Sequence, residues 1–268
     1  MGRKGKCRRI KRLFIIGLPI LFLGMAVFWF FRDPGRFKRL VHILEVQNRK
    51  AQWEKEIEET LEEGGIPQSL LELARRNPEA EEFVNNYTKN IGRKPDFDLS
   101  WEVKEGEIPL FLQWDERWGY EGYGDDYLAV TGCGPTCLSM VYVGLTGDTG
   151  YSPYEMAKLA ENKGYYVEGA GSSWEMMTEL GEKLGLDVKE PVFDEEHILK
   201  ALQNGHPIIC IMRKGDFTDS GHFIVLTGVA ENGEIMVNDP NSMINSEKTW
   251  DLEKLMKQMR NLWEYSYT

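Results

Sequence analysis

The chain has 268 residues, enough for one large domain or for a smaller domain with additional segments. Its 42% apolar and 12% aromatic content can build a hydrophobic core, which excludes a globally disordered chain. Residues 1–39 carry 11 of the 32 basic residues and one of the 43 acidic residues, so the remainder has a net charge of −21. That charge repels phosphates, and nucleic acid is therefore not expected as a partner.

Nineteen uncharged residues, 13–31, follow a basic tail formed by residues 1–12. About 20 apolar residues span a bilayer as a helix, so this run is predicted to be a transmembrane helix. Basic residues are more numerous before the run than after it, which favours a cytoplasmic tail. A cleaved signal peptide is the alternative, but the run is long and ends in bulky aromatic residues. We therefore expect a single-pass protein of a bacterial cell membrane, with the rest of the chain extracytoplasmic.

Residues 32–95 are predicted to form a helical stalk or spacer. Apolar residues recur at helical intervals over residues 37–63 until a glycine pair ends the pattern. Two shorter helices are expected around residues 70–74 and 80–87. This segment carries no recognisable chemistry, so a spacer between the membrane and the main domain is the simplest interpretation.

Residues 96–268 are predicted to form the main domain. Its helices are predicted from prolines and capping residues at their starts: residues 135–145, 153–162, 172–184 and 194–202. Its strands are predicted from runs of Ile and Val: residues 207–212, 222–229 and 234–237. A turn at residues 231–233 predicts that the last two strands form a hairpin. Helices that precede clustered strands indicate an α+β domain.

The cysteine count leaves at least one thiol without a disulfide partner. Three cysteines follow the apolar run, and three cannot all pair with one another. Cys133 lies between two glycines, just before the helix predicted from Pro135. The helix dipole and the free N–H groups at a helix start favour a thiolate, and they also favour an oxyanion beside it. On position alone, a small buried residue in a tight turn is an equally good interpretation.

His222 and Asp239 add the groups that a reactive thiol needs. His222 begins an apolar strand, and an imidazole there can take the thiol proton and later protonate a leaving group. Asp239 ends the next strand of the predicted hairpin, so its carboxylate can lie close enough to orient the imidazole. Each residue taken singly is more often structural.

Four segments of the chain follow one known pattern in order. They are IPLFLQWDERWG, GCGPT, GHFIVL and NDP, at residues 108–119, 132–136, 221–226 and 238–240. The chain from Pro109 onward resembles the peptidase C39-like family, and the helical lead-in from Pro67 is a candidate extension. The resemblance implies a papain-like fold, with a helical part followed by an antiparallel sheet.

The resemblance also implies a role for each site residue. Cys133 is the expected nucleophile, His222 the general base and Asp239 the partner that orients it. Gln113 is expected to supply an amide N–H to the oxyanion hole. The expected reaction is acyl transfer from an amide to the thiolate, followed by hydrolysis of the thioester.

These expectations describe a membrane-anchored, extracytoplasmic cysteine peptidase that acts on a peptide or protein substrate. Related domains in transporters cut leader peptides in the cytoplasm, but this chain is too short for a transporter body and its domain is expected outside. The alternatives are a cell-wall peptide amidase and a catalytically silent papain-like binding module. A complete set of Cys, Gln, His and Asp argues against the silent module. No cofactor is expected, and no His/Cys pair has the spacing of a zinc site.

The other candidate side chains are given structural roles. Cys137 and Cys210 lie within a predicted helix and strand, and both are expected to pack in the core. His197 and His206 are expected to be structural or solvated. Three tryptophans are expected in the core, with the lining of a substrate cleft as the alternative: Trp114, Trp118 and Trp174.

Overall fold

The computed structural model of the chain describes residues 65–93, 98–104 and 106–268, together with scattered helical residues between 41 and 55. Residues from 65 onward belong to a compact unit that spans Val46–Thr268. The predicted basic tail and transmembrane helix lie outside the described residues. Within the described part of the chain, no helix is both long and apolar enough to cross a membrane.

Most helices of this unit precede its main sheet. The helices are α1 (Gln68–Arg76), a 3-10 turn (Pro78–Ala80), α2 (Glu81–Asn85), α3 (Tyr87–Asn90), α4 (Leu128–Thr131), α5 (Cys133–Thr146), α6 (Pro153–Asn162), α7 (Glu175–Lys183), α8 (Glu195–Gln203), α9 (Met243–Ser246) and α10 (Leu252–Gln258). The strands are β1 (Gly122–Tyr123), β2 (Asp126–Tyr127), β3 (Tyr166–Val167), β4 (Gly171–Ser172), β5 (Asp187–Lys189), β6 (Ile208–Arg213), β7 (Gly221–Val229), β8 (Ile235–Asn238), β9 (Thr249–Trp250) and β10 (Met259–Ser266). This order confirms the predicted α+β class.

The main sheet is antiparallel and has six strands in the order β5-β10-β6-β7-β8-β9. The three predicted strands agree with β6, β7 and β8 to within one residue at each end. The predicted hairpin between β7 and β8 is also present, because Gly228 pairs with Met236 across it. Strand β10 lies between β5 and β6, pairs Leu262 with Cys210 and is not among the predicted strands.

Helices cover both faces of this sheet. Phe223 and Val225 of β7 point into the core that α5 shares, whereas Ile224 and Leu226 point into the core on the side of α8 and α10. Successive strand residues alternate between faces, so a strand buried on both sides reads as a continuous apolar run. Helix α5 is buried over most of its length and packs against β7, which fixes its first residue close to the start of that strand.

The two cysteines expected in the core are both there. Cys137 lies on α5 and Cys210 on β6, and neither is exposed. Burial raises the pKa of both thiols above the ordinary value for cysteine. They are therefore neutral packing residues, as predicted.

Helices α1 to α3 pack onto the rest of the unit. Leu70, Phe83 and Tyr87 are buried in a cluster that includes Tyr120 and Tyr127. The Tyr87 and Tyr127 hydroxyls are 2.7 Å apart. The boundaries of the predicted spacer, residues 32–95, stay predictions, but its described helices belong to the same packed structure as the sheet.

A buried carboxylate on β10 joins the two histidines that were expected to be structural. Glu264 accepts a hydrogen bond from His197 and another from His206, each over 2.8 Å. Burial alone would raise the pKa of Glu264, but the hydrogen bonds to the two histidines outweigh it and lower the pKa below its usual value. The ionised carboxylate therefore stabilises the fold above pH about 4.5, the usual pKa, and loses this effect as pH falls through the lowered pKa.

Replacing Glu264 by glutamine is expected to lower the free energy of unfolding at pH 6 by about 1–3 kcal/mol, because two charge-assisted hydrogen bonds to a buried carboxylate are weakened. Urea unfolding at pH 6 and at pH 3.5 measures the effect, and the difference from the wild type should shrink at the lower pH. The matched control is Glu253→Gln, which removes an exposed charge paired with Lys257 and should change little. If Glu264→Gln and Glu253→Gln lower the free energy of unfolding equally at pH 6, the prediction is wrong.

Candidate active site

Cys133 is the first residue of α5, two residues earlier than the helix start predicted at Pro135. The first N–H groups of a helix lack partners inside the helix, so the thiol lies among free donors. Its glycine neighbours are required by close contacts. A Cβ atom on Gly132 would lie 2.4 Å from the Leu128 carbonyl oxygen, and one on Gly134 would lie 2.6 Å from Ser172 Oγ. The Gly-Cys-Gly pattern therefore lets the start of α5 pack tightly while the thiol stays partly exposed.

The structure brings Cys133, His222 and Asp239 together. His222 is the second residue of β7, its side chain is buried, and it lies close enough to the Cys133 thiol for each group to shift the pKa of the other. Its Nε2 atom is 2.7 Å from Oδ1 of Asp239. Asp239 directly follows β8, the partner strand of β7, so the hairpin accounts for this contact. The imidazole lies between a thiol and a carboxylate.

A short turn holds the Asp239 carboxylate in place. Oδ1 accepts the backbone N–H of Asn241, and Oδ2 accepts the Asn245 side-chain amide, each over 2.9 Å. The backbone N–H of Asp239 donates to Ser246 Oγ, also over 2.9 Å. These bonds orient a carboxylate that is almost fully buried.

The electrostatics of the three residues favour a thiolate beside an imidazolium. Burial alone would raise the pKa of Cys133, but the hydrogen bond and charge of His222, with backbone N–H groups of Phe223 and Gly134, lower it below the ordinary value. Burial alone would lower the pKa of His222, but Asp239 and the Cys133 thiolate outweigh it and raise the pKa to about 10. Such a pair can attack a carbonyl carbon and then protonate a leaving group.

Gln113 is buried next to this group and is held from two sides. Its Nε2 donates to the Ala129 carbonyl over 2.7 Å, and its backbone N–H donates to the Pro240 carbonyl over 2.7 Å. An amide nitrogen carries two hydrogens, so the bond to Ala129 leaves one N–H for another acceptor. Gln113 lines the same cavity as Cys133 and His222. The predicted residues therefore all lie around one point of the molecule.

Residues 105–268, more than half of the chain, match the profile of the Peptidase_C39 like family. The chain belongs to this family. The resemblance predicted from the four motifs is thus confirmed, and the helices and antiparallel sheet are consistent with a C39 peptidase. Among solved structures, the peptidase domain of Streptococcus ComA, a bi-functional ABC transporter involved in a quorum sensing pathway, is 21% identical. The match covers 52% of this chain and 93% of that one, with a TM-score of 0.39. No curated protein matches this chain significantly.

Two cavities meet at the thiol of this C39-like domain. The smaller encloses about 240 Å³ and includes Gln113 in its wall, and the larger encloses about 520 Å³ and includes Trp174. Cys133 and His222 line both cavities. The thiol is thus accessible from both cavities.

The three tryptophans have different positions. Trp118 is fully buried, as expected for a core residue. Trp114 is partly exposed and its Nε1 donates to the Asn241 carbonyl over 3.0 Å. Trp174 is 39% exposed and lines the larger cavity, so the expectation of core packing is wrong for it.

The segment before the C39-like match contributes contacts that the sequence analysis missed. The Asn77 amide donates to the Asn241 carbonyl over 2.6 Å. The Glu79 carboxylate accepts the Ser242 hydroxyl over 2.5 Å and the Ile244 backbone N–H over 3.1 Å. These bonds hold the same turn that orients Asp239. The only local signal for these contacts was the Asn-Pro pair at residues 77–78. That pair indicates a break between two helices, but it does not show which part of the chain the segment contacts.

Proposed function

We propose that this chain is a cysteine peptidase that hydrolyses a peptide or amide bond with Cys133 as nucleophile. The observation that carries the proposal is the 2.7 Å hydrogen bond between His222 and Asp239 in a cavity wall that Cys133 shares with His222. Cys133 lies at a helix start, where a thiolate is stabilised. The family of the chain supports the same chemistry.

In the proposed reaction, the thiolate attacks the carbonyl carbon of the scissile bond. His222 Nε2 is occupied by Asp239, so Nδ1 is the nitrogen that faces the thiol. That nitrogen protonates the leaving amine as the C–N bond breaks, which leaves a thioester on Cys133. It then takes a proton from water, whose oxygen attacks the thioester carbon and releases the acid and the thiolate. Asp239 keeps the imidazole oriented in both steps.

We assign the oxyanion hole to the free N–H of Gln113 and the backbone N–H groups at the start of α5. The negative charge that develops on the carbonyl oxygen is stabilised by donors already aimed at its position. Gln113 is well suited, because its bonds to Ala129 and Pro240 fix the amide before substrate binds.

We further propose that the reaction takes place outside the cytoplasm, with the chain anchored through residues 13–31. The proposal rests on the apolar run and on the charge asymmetry around it. A peptide or protein is the expected substrate, and cell-wall peptides are the alternative class. Assays with both substrate classes distinguish a peptidase from an amidase.

Alkylation of the purified protein with iodoacetamide at pH 6, followed by mass spectrometry, tests the proposed nucleophile. Cys133 is expected to react at least about tenfold faster than a small free thiol, because a thiolate reacts and most ordinary thiols are protonated at this pH. Cys137 and Cys210 are internal controls, since both are buried and neutral. If Cys133 reacts no faster than the free thiol, the proposal is wrong. A binding module would accept the label only slowly and would cleave neither substrate class.

A further inference from the structure

The larger of the two cavities beside Cys133 has an unusual charge for this protein. Its wall contains two guanidinium groups, Arg76 and Arg260, and no carboxylate. The remaining lining residues are neutral apart from the Cys133–His222 pair, whose thiolate and imidazolium charges cancel. The chain beyond residue 39 has a net charge of −21, so a cleft with two guanidinium groups and no carboxylate departs from the rest of the molecule.

Neither arginine has an acidic partner within 4 Å among the residues that the structure describes. The Arg76 Nε atom donates to the Glu72 carbonyl over 3.3 Å, at the end of α1. The Arg260 guanidinium lies 5.6 Å from the ring centre of Trp174, which backs it from one side. By contrast, Arg117 binds both Glu102 and Asp115 and is a structural cation.

The smaller cavity does not share this character. Its wall contains one carboxylate, Asp219, together with one guanidinium, Arg76. Arg76 lines both cavities, whereas Arg260 lines only the larger one. The larger cavity is therefore the more positive of the two, because it has a second guanidinium and no carboxylate.

We propose that the larger cavity binds a carboxylate of the substrate, on one side of the scissile bond. A guanidinium can hold a carboxylate by two parallel hydrogen bonds, and an unpaired guanidinium in a cleft gives up no ion pair when it does so. The carboxylate is either an acidic side chain or a free C-terminus. This inference rests on the proposed function, because it names the substrate class of the same site.

A pair of alkylating reagents tests the charge of the cavity without a known substrate. Iodoacetate and iodoacetamide differ in charge and are similar in size, and both mark Cys133. The ratio of their rate constants, iodoacetate over iodoacetamide, is expected to fall about threefold to tenfold in the variant Arg76→Gln/Arg260→Gln. Arg75→Gln is the matched control, since Arg75 is exposed on the same helix and lines neither cavity.

Peptide hydrolysis by the full chain then identifies the carboxylate. Peptides with Glu near the scissile bond are compared with Gln peptides, and free C-termini with amidated ones. The preferred acidic peptide should lose about tenfold or more in kcat/KM in each single variant, Arg76→Gln and Arg260→Gln, and its neutral counterpart should change little. A difference between the Glu and Gln peptides identifies an acidic side chain as the bound carboxylate. A difference between the free and amidated peptides identifies the C-terminus.

The outcomes separate the two proposals. If Cys133 reacts rapidly with iodoacetamide but the iodoacetate ratio is the same in wild type, double variant and control, the carboxylate site is wrong and the proposed function stands. If the wild-type enzyme cleaves neutral peptides as well as acidic ones, the carboxylate site is likewise wrong and the proposed function stands. If Cys133 is unreactive toward iodoacetamide in the wild type, the proposed function itself fails.

Discussion

Replacing Cys133 by alanine is expected to abolish hydrolysis, and replacing His222 by alanine is expected to lower kcat/KM by at least about 10³-fold. Residues that act as one unit in catalysis lose most of the rate when either is removed, so the double variant should be no slower than Cys133→Ala alone. The matched control is Cys137→Ala, one helical turn further along α5, where the thiol is buried and protonated. It should keep most of the activity.

The pH dependence of the activity tests whether Cys133 and His222 act as a thiolate–imidazolium ion pair. Activity needs a deprotonated Cys133 and a protonated His222. It should rise with pH as the thiol ionises at a pKa below 9.0, and fall when the imidazolium loses its proton near pH 10. In His222→Ala the thiol loses its positive neighbour and stays partly buried, so its pKa rises. The acid limb of Cys133 alkylation must then move to higher pH, and an unchanged limb would refute the assignment of His222.

Gln113→Ala is expected to lower kcat by about 10²–10³-fold with little change in KM, because an oxyanion-hole donor acts mainly on the transition state. Alkylation of Cys133 by iodoacetamide forms no oxyanion, so its rate should be nearly unchanged in this variant. His222→Ala, by contrast, should slow both reactions. Kinetics of peptide hydrolysis and alkylation on the same preparations make the comparison.

Loss of alkylation in Gln113→Ala would show that the substitution disturbs the site instead of removing one donor. This outcome is a real test, because Gln113 also joins the start of α4 to the turn after Asp239 through Ala129 and Pro240. Gln113→Glu keeps the size of the side chain and removes the N–H donors. It should lose at least as much kcat as Gln113→Ala, because its negative charge also repels the oxyanion, with an intact fold by circular dichroism.

The sequence alone was sufficient to predict those helices, strands and contacts that follow from a local pattern. The side chains of Ser152 and Asp194, which directly precede α6 and α8, cap these helices as predicted. Strands β6 to β8 follow from apolar runs because the sheet is buried on both faces. The hairpin register then explains why a histidine and an aspartate 17 residues apart meet.

Strand β10 could not be predicted in the same way. It contains Arg260, Asn261 and Glu264 among its apolar residues, and it follows α10 without a turn signal. Glu264 is tolerated inside the sheet only because His197 and His206 reach it from distant parts of the chain. Local propensity depletes such residues from strands, and the tertiary contacts override it.

By itself, then, the sequence determined the family, the α+β class and the Cys, His, Asp and Gln set around Cys133, because those residues stand in short motifs at fixed spacings. Only the tertiary structure decided what surrounds the thiol. Asn77 reaches the turn beside Asp239 across 164 residues of chain, and Arg76 enters the cleft from the same helical segment. The physical reason is that packing joins residues far apart in the chain, whereas periodicity and capping describe only near neighbours.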